Sequence, residues 1–148
     1  LEMPASLYAD MGGSLFATEA VLQALLLRQR PGRTQGKGVF HEVALCDASA
    51  YLALPRTWGL TVPSGDVGGA HAGYKVYPCK NGRVAVAALE PHFAARLCEA
   101  AGLSKQTATH MHKRSTHETI AQFLASQTRA QLDKLASDKD IPLHTLPR

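Results

Sequence analysis

Cysteine, aromatic side chains and long apolar runs are all scarce in this sequence, and each shortage excludes a class of protein. The three cysteines, Cys46, Cys79 and Cys98, are far apart and form neither a CxxC pair nor a zinc-ligand spacing. We therefore expect reduced thiols and no metal site. The longest apolar run, AVLQALLL, is far shorter than a membrane-spanning helix, and no secretory signal pattern is present. These features predict a cytoplasmic protein with no membrane partner.

Positive charge is in only slight excess, since 16 Lys and Arg residues against 12 Asp and Glu residues leave a net charge of +4. The densest basic stretches, RQRPGR (28–33) and HKR (112–114), are short and contain no Phe, Tyr or Trp. Nucleic-acid-binding surfaces usually combine a longer basic patch with stacking aromatic side chains. We therefore predict no nucleic-acid partner. The 148 residues, 45% of them hydrophobic, are enough for about one domain with a sizeable core.

The N-terminal third has the pattern of a helix–strand–helix piece. Apolar residues recur every three or four positions over 14–30, which predicts one helix that Pro-Gly then ends. A glycine-rich basic loop follows, and VFHEVAL (39–45) is predicted to be a short strand. Asp47 is a candidate cap for a further helix over 48–54. We assign residues 1–54 to the edge of a larger α/β domain.

A connection and a hairpin come next. Residues 55–73 are rich in glycine and lack periodicity, which is typical of an interdomain linker or a binding loop. YKVYP and RVAVAAL flank CKNG, and an Asn-Gly pair between two β-prone runs strongly favours a hairpin. The remaining residues, 74–148, are predicted to form a small α+β domain, so the fold class of the whole chain is α+β.

Helix signals dominate the last third. Pro91 is well placed at the first position of a helix that is predicted to end near Ala101, before a left-handed cap at Gly102. The sequence STHE (115–118) fits a capping box at the start of a second helix. Thr128 is a candidate cap for a third helix, and the closing DIPLHTL is predicted to be extended.

Two carboxylates lie at junctions between elements and are candidates for chemistry. Asp10 is expected to precede the first helix by two glycines, and Glu90 to follow a strand and begin a helix. For each, the simpler interpretation is helix capping. The alternative is a reactive carboxylate beside a ligand, because glycines allow another molecule to come close to the backbone. Capping statistics alone do not decide between these alternatives.

Histidines and glycine-rich stretches are weaker signals. His110, His112 and His117 lie in HMHKRSTH, which has no strong apolar period and no nearby cysteine. A zinc site needs a fourth ligand and a firmer frame, so we interpret this run as a solvated polar loop. The stretches GRTQGKG and GDVGGAHAG lack the strand–loop–helix context and the Lys-Ser/Thr of a phosphate-binding loop.

The order of these elements resembles that of family III CoA-transferases, a superfamily that includes formyl-CoA transferase, carnitine CoA-transferase and α-methylacyl-CoA racemase. One block is ADMGGSLFATEAVLQALLLRQRPGRTQGKGVFHEVALCDAS, similar to the family's Asp-Gly-Gly helix, R-x-x-G-K-G loop and following strand. A second is GGAHAGYKVYPCKNGRVAVAALEPHFAARLCEAAGL, similar to its Gly-Gly loop, Tyr-x-x-Tyr strand, hairpin and Leu-Glu-Pro-x-Phe helix. The resemblance covers nearly the whole chain and is weakest over 103–127.

The resemblance implies roles for particular residues. Asp10 matches the family's catalytic aspartate, and Glu90 matches a glutamate that supports a catalytic histidine in the racemases. In the transferases the aspartate attacks an acyl-CoA thioester and forms an anhydride, whereas in the racemases it moves the proton α to the thioester. The residues that the resemblance assigns to substrate binding are Gly12, Gly13, Gly68, Gly69 and Tyr74.

The resemblance also implies an activity and partners. We expect an acyl-CoA:carboxylate CoA-transferase, with a 2-methylacyl-CoA racemase as the alternative and a non-catalytic CoA-binding or interaction fragment as a third possibility. The implied partners are an acyl-CoA, a carboxylic acid and a second copy in a homodimer. A coenzyme A thioester would be a substrate, with no tightly bound cofactor and no metal. The chain corresponds to a middle-to-late piece of the family that includes the whole small domain and is expected to be inactive by itself.

Overall fold

The computed structural model describes residues 6–30 and 38–147 of the chain. The chain divides into two compact units, Leu1–Trp58 and Gly59–Arg148, and the boundary falls inside the glycine-rich connection over 55–73. The predicted end of the first helix at Pro-Gly and most of the basic loop that follows lie outside the described residues. No helix in the described part of the chain is both long and apolar enough to cross a bilayer.

Three helices form the first unit: α1 (Tyr8–Arg28), α2 (Leu45–Leu52) and the short α3 (Leu54–Thr57). Helix α1 begins earlier than the sequence predicted, so Asp10 lies in its first turn and does not precede it. Glycine lowers helix propensity, which is why the pattern suggested a later start. Packing against α2 overrides that preference, because the two glycines after Met11 are the buried residues of α1.

The strand predicted over 39–45 is wrong, since residues 38–44 have no regular secondary structure and α2 begins at Leu45. An isolated strand cannot satisfy its backbone hydrogen bonds, and the described residues of this unit contain no second strand to pair with it. Asp47 does not cap α2, because Ala44 is the N-cap residue and Asp47 lies in the first turn.

The second unit is built on an antiparallel sheet. Strands β1 (Tyr74–Cys79), β2 (Gly82–Ala87) and β3 (Leu143–Leu146) follow one another in that order, with β2 in the middle. The predicted hairpin is confirmed, since Cys79 lies opposite Gly82, but its turn residues are Lys80 and Asn81, because Gly82 already belongs to β2. The extended closing segment is confirmed as well, and it pairs with β2 as the third strand.

Helices cover one side of this sheet. They are α4 (Pro91–Ala100), α5 (Arg114–Ala125) and α6 (Arg129–Lys139), with single 3-10 turns at Asp66–Gly68 and Lys105–His110. Helices and sheet form one core, and its fully buried side chains include Val84 on β2, Met111 just before α5, and Leu97, Ile120, Leu124 and Leu132 on the helices. This mixture of helices and a small antiparallel sheet confirms the predicted α+β class.

The predicted helix ends had different outcomes. Gly102 is left-handed, with φ of 76°, and the following Leu103 N–H donates to the Cys98 carbonyl at 2.8 Å, so the predicted C-terminal cap of α4 is confirmed. Thr128 caps α6 in a reciprocal capping box with Gln131. The capping box predicted over 115–118 is wrong, because α5 already begins at Arg114 and its N-cap side chain makes no capping bond.

Candidate functional site

Asp10 has an exposed side chain in the first turn of α1. The helix dipole favours a negative charge at this end. The N-cap residue is Leu7, and among the described residues no hydrogen bond or ion pair engages the Asp10 carboxylate. The backbone carbonyl of Asp10 accepts a hydrogen bond from the Ser14 hydroxyl at 2.8 Å. Capping therefore does not account for this carboxylate.

The two glycines after Met11 have a structural reason to be there. A Cβ at Gly12 would lie 3.0 Å from Leu52 Cδ1 and 3.2 Å from Ala48 Cβ, and one at Gly13 would overlap the Leu45 side chain. Because α2 occupies this space, close helix packing explains both glycines without a ligand. Their part in substrate binding stays a prediction.

Glu90 occupies the N-cap position of α4, between β2 and the helix. Its backbone carbonyl accepts from Ala94 N–H at 2.9 Å, but its exposed side chain makes no capping bond. The Glu90 carboxylate therefore lies between β2 and α4 and does not cap the helix. Ala88, two positions earlier, donates its N–H to the Gly73 carbonyl at 2.7 Å. The segment that leads to Glu90 therefore begins beside Gly73.

The glycine-rich loop, which we define as residues 65–73, is tightly folded. Gly68 lies against the Val62 carbonyl so closely that a Cβ there would overlap the backbone. Gly69 has a φ of 110°, which is unfavourable for any residue with a side chain. Tyr74 follows directly, and its N–H donates to the His71 carbonyl at 3.0 Å.

Side chains from outside the loop contact it at several points. His112 Nε2 lies 2.6 Å from Asp66 Oδ1, and His117 Nε2 lies 2.8 Å from the Ala70 carbonyl oxygen. The prediction of a solvated polar loop agrees with His112, which is exposed in a turn, but is wrong for His117, which is half-buried in α5. Local sequence could not show these contacts, because each joins residues more than 40 positions apart.

Two buried residues complete the contacts. His71 is 8% exposed, and its Nδ1 accepts the Gly73 N–H at 3.0 Å. The Tyr77 hydroxyl donates to the Ala72 carbonyl at 2.8 Å, and burial raises the pKa of Tyr77 to about 12. No sequence pattern assigned a role to His71, and Tyr77 appeared only as the second tyrosine of the Tyr-x-x-Tyr strand. For Tyr77, a polar aromatic on the inward side of a predicted strand was an available signal.

The candidate residues are divided between the two units. Asp10, Gly12 and Gly13 lie in the first unit, and the second contains Gly68, Gly69, Tyr74 and Glu90. Within the described ranges, no group of three or more His, Cys, Asp or Glu side chains is arranged to hold a metal ion.

Solved structures of another protein have the same fold as this chain. Two crystal structures of the hypothetical protein Rv3272 from Mycobacterium tuberculosis match 97% of this chain at 18% identity, with TM-scores of 0.70 and 0.71. An aspartate-to-alanine variant of Rv3272 matches 100% of the chain at 19% identity, with a TM-score of 0.73. In each case the chain covers 40% of the length of that protein.

The sequence itself matches one protein family, described as CoA-transferase family III, over residues 2–147. The match spans both units and includes all seven candidate residues. On this ground the chain belongs to CoA-transferase family III.

Proposed function

We propose that Asp10 is the nucleophile of an acyl-CoA:carboxylate CoA-transferase. The observation that carries this proposal is an exposed aspartate carboxylate in the first turn of α1, with no partner among the described residues, in a chain of this family. A carboxylate that caps a helix or pairs with a cation would first have to give up those bonds. Asp10 has no such bonds to give up among the described residues.

The proposed step balances as follows. One oxygen of the Asp10 carboxylate attacks the carbonyl carbon of the acyl-CoA thioester. A C–O bond forms, the C–S bond breaks, and CoA leaves as the thiolate. The product is a mixed anhydride of the aspartate and the acyl group. The CoA thiolate then attacks the aspartyl carbonyl of this anhydride, which releases the donor acid as its carboxylate and leaves an aspartyl–CoA thioester. The acceptor carboxylate attacks that thioester, expels the CoA thiolate and forms a second mixed anhydride. Attack of the thiolate on the acceptor carbonyl then forms the new acyl-CoA and frees the Asp10 carboxylate.

The second unit would supply groups for substrate binding. We propose that the glycine-rich loop, through Gly68 and Gly69, together with Tyr74, contacts the substrate, and that Glu90 provides a second carboxylate. A homodimer and a cytoplasmic location are proposals of the same kind, since the family resemblance alone suggests them. CoA thioester is the substrate in this scheme, and no tightly bound cofactor is required.

A racemase is the second candidate, and Glu90 is the observation that favours it. Its exposed carboxylate at the end of β2 makes no capping bond and is available to support acid–base chemistry. In that case Asp10 would move the proton α to the thioester, and no acyl acceptor would be needed. Exchange of that proton with deuterated water, without acyl transfer, would favour the racemase and contradict the transferase.

The test uses the full-length protein with an Asp10→Asn substitution. We expect turnover to be abolished and the wild-type protein, but not the variant, to form a hydroxamate at Asp10 when hydroxylamine traps the anhydride during turnover with an acyl-CoA. Asp47→Asn is the matched control, because Asp47 is an exposed aspartate in the first turn of α2. Near-normal activity of Asp10→Asn would refute the nucleophile assignment. Retention of wild-type protein on immobilised CoA without turnover would instead favour the non-catalytic binding module.

A further inference from the structure

The histidine cluster around the glycine-rich loop consists of His71, His112 and His117 together with Asp66. His71 and Asp66 come from the loop itself, His112 from the turn before α5, and His117 from the first turn of α5. The rings of His71 and His112 meet edge to face with their centroids 6.0 Å apart. Between the two histidine contacts, the Met111 carbonyl accepts the Ala72 N–H at 3.0 Å. The loop is therefore attached to the segment over 111–117 by both side chains and backbone.

Hydrogen-bond chemistry assigns the proton positions in this cluster. Gly73 N–H can only donate, so His71 Nδ1 must accept, and the neutral ring carries its proton on Nε2. The Ala70 carbonyl can only accept, so His117 donates from Nε2. His112 faces the Asp66 carboxylate, which accepts as well.

These roles respond differently to acid. Protonated His117 still donates to Ala70, and protonated His112 gains a charge opposite Asp66. His71 differs, because a proton on Nδ1 removes the acceptor that the Gly73 N–H has within the described part of the chain. His71 and Gly73 are both buried, so the lost bond would leave a donor without a partner away from water.

We propose that His71 controls the end of the glycine-rich loop through its protonation state: the neutral ring holds residues 71–73 folded by accepting the Gly73 N–H, and the protonated ring releases them. This inference goes beyond the proposed function and does not depend on it. It assigns to His71 a conformational role in the loop itself, whatever ligand the loop meets.

The groups around His71 shift its pKa in the direction that the proposal requires. Burial lowers the pKa of His71; the Asp66 carboxylate acts in the opposite direction, and His112 and His117 lower the pKa further. Tyr77, whose hydroxyl donates to the Ala72 carbonyl, stays neutral throughout the range in which histidine titrates, because burial raises its pKa. Because the pKa of His71 is lowered, the stabilisation from its bond to Gly73 is complete above the ordinary pKa of 6.5. That stabilisation is lost as the pH falls through the lowered pKa of His71.

Magnitudes favour His71 over the ion pair as the controlling group. Both side chains of the His112–Asp66 pair are more than half exposed, and exposed pairs contribute about 0–1 kcal/mol. The His71–Gly73 bond is buried, and loss of a typical hydrogen bond corresponds to about 1 kcal/mol, a factor of about five in an opening equilibrium. Protonation of His71 Nδ1 breaks the buried bond.

The experiment is amide hydrogen exchange by NMR on the 148-residue chain between about pH 8 and about pH 5, corrected for intrinsic exchange rates. We expect protection of the Ala72 and Gly73 amides to fall about fivefold or more in acid, while the Val84 amide in β2 keeps its protection. His71→Asn retains an acceptor at the Nδ1 position but cannot titrate, so its loop protection should not depend on pH. His144→Asn, an exposed histidine on β3, is the matched control and should behave as wild type.

A second readout covers the case in which His71→Asn fails to fold. Nitrogen chemical shifts of the wild-type imidazole report the tautomer directly. We expect Nδ1 without a proton at neutral pH and a titration of His71 that coincides with the loss of Gly73 protection. A proton on Nδ1 at neutral pH, or loop protection that does not follow the titration of His71, would overturn the proposal.

Discussion

Alanine substitutions at Gly68 and Gly69 should destabilise the glycine-rich loop for different reasons and by different amounts. A Cβ at Gly69 meets nothing within 4 Å, so only the left-handed backbone is unfavourable. The cost of this conformation is about 1–2 kcal/mol for a residue with a side chain. A Cβ at Gly68 would overlap the Val62 carbonyl carbon and oxygen, which belong to the backbone and cannot rotate away.

The Gly68→Ala cost has two parts. Forced overpacking costs about 1–3 kcal/mol. Moving this segment also strains the hydrogen bond from Gly68 N–H to the Gly65 carbonyl, which is 3.0 Å long, and its loss adds about 1 kcal/mol. We therefore expect a loss of about 2–4 kcal/mol for Gly68→Ala, larger than for Gly69→Ala.

Urea unfolding followed by the NMR intensity of the Val84 amide would measure both values in the second unit. Gly69→Ala serves as the matched control within the same unit, because a Cβ there meets no atom within 4 Å and only the positive φ is unfavourable. If Gly68→Ala proves no more destabilising than Gly69→Ala, the backbone-overlap argument is incorrect.

Two further predictions concern the second unit. Thr128→Ala should lower the stability of this unit by about 1 kcal/mol, because the α6 capping box is lost. Ser115→Ala is the control and should be close to neutral, since Ser115 does not cap α5. Equal losses of stability in urea unfolding would contradict this difference. Tyr77 should remain protonated at about pH 11 in ultraviolet difference spectra, and its stabilising effect should be lost as the pH rises from 10 towards its raised pKa of about 12. Ionisation of Tyr77 near pH 10 would show that its burial is absent in solution.

Local signals in the sequence were sufficient for much of the second unit. The Asn-Gly hairpin, the Pro91 start of α4, the Gly102 cap and the Thr128 cap each depend on residues within a few positions of one another. Such features follow from backbone sterics and nearby hydrogen bonds, so the residue types alone predict them. The family could be recognised for a related reason, because its two sequence blocks occur intact and in order.

Features that depend on distant residues needed the tertiary structure. The early start of α1 depends on α2, which fills the space beside Gly12 and Gly13 and so makes glycine suitable in a helix. The absence of a strand over 39–45 reflects the lack of a pairing partner among the described residues of its unit, which an apolar pattern cannot reveal.

The candidate site shows the same division between local and distant information. The resemblance identified Asp10 and Glu90 by their place in conserved-looking motifs, but only the structure showed that neither side chain caps a helix. The histidines that hold the glycine-rich loop could not be assigned from sequence, since His117 reaches Ala70 across 47 positions. The residue types determine which hydrogen bonds each side chain can form, whereas the fold decides which partner comes within reach.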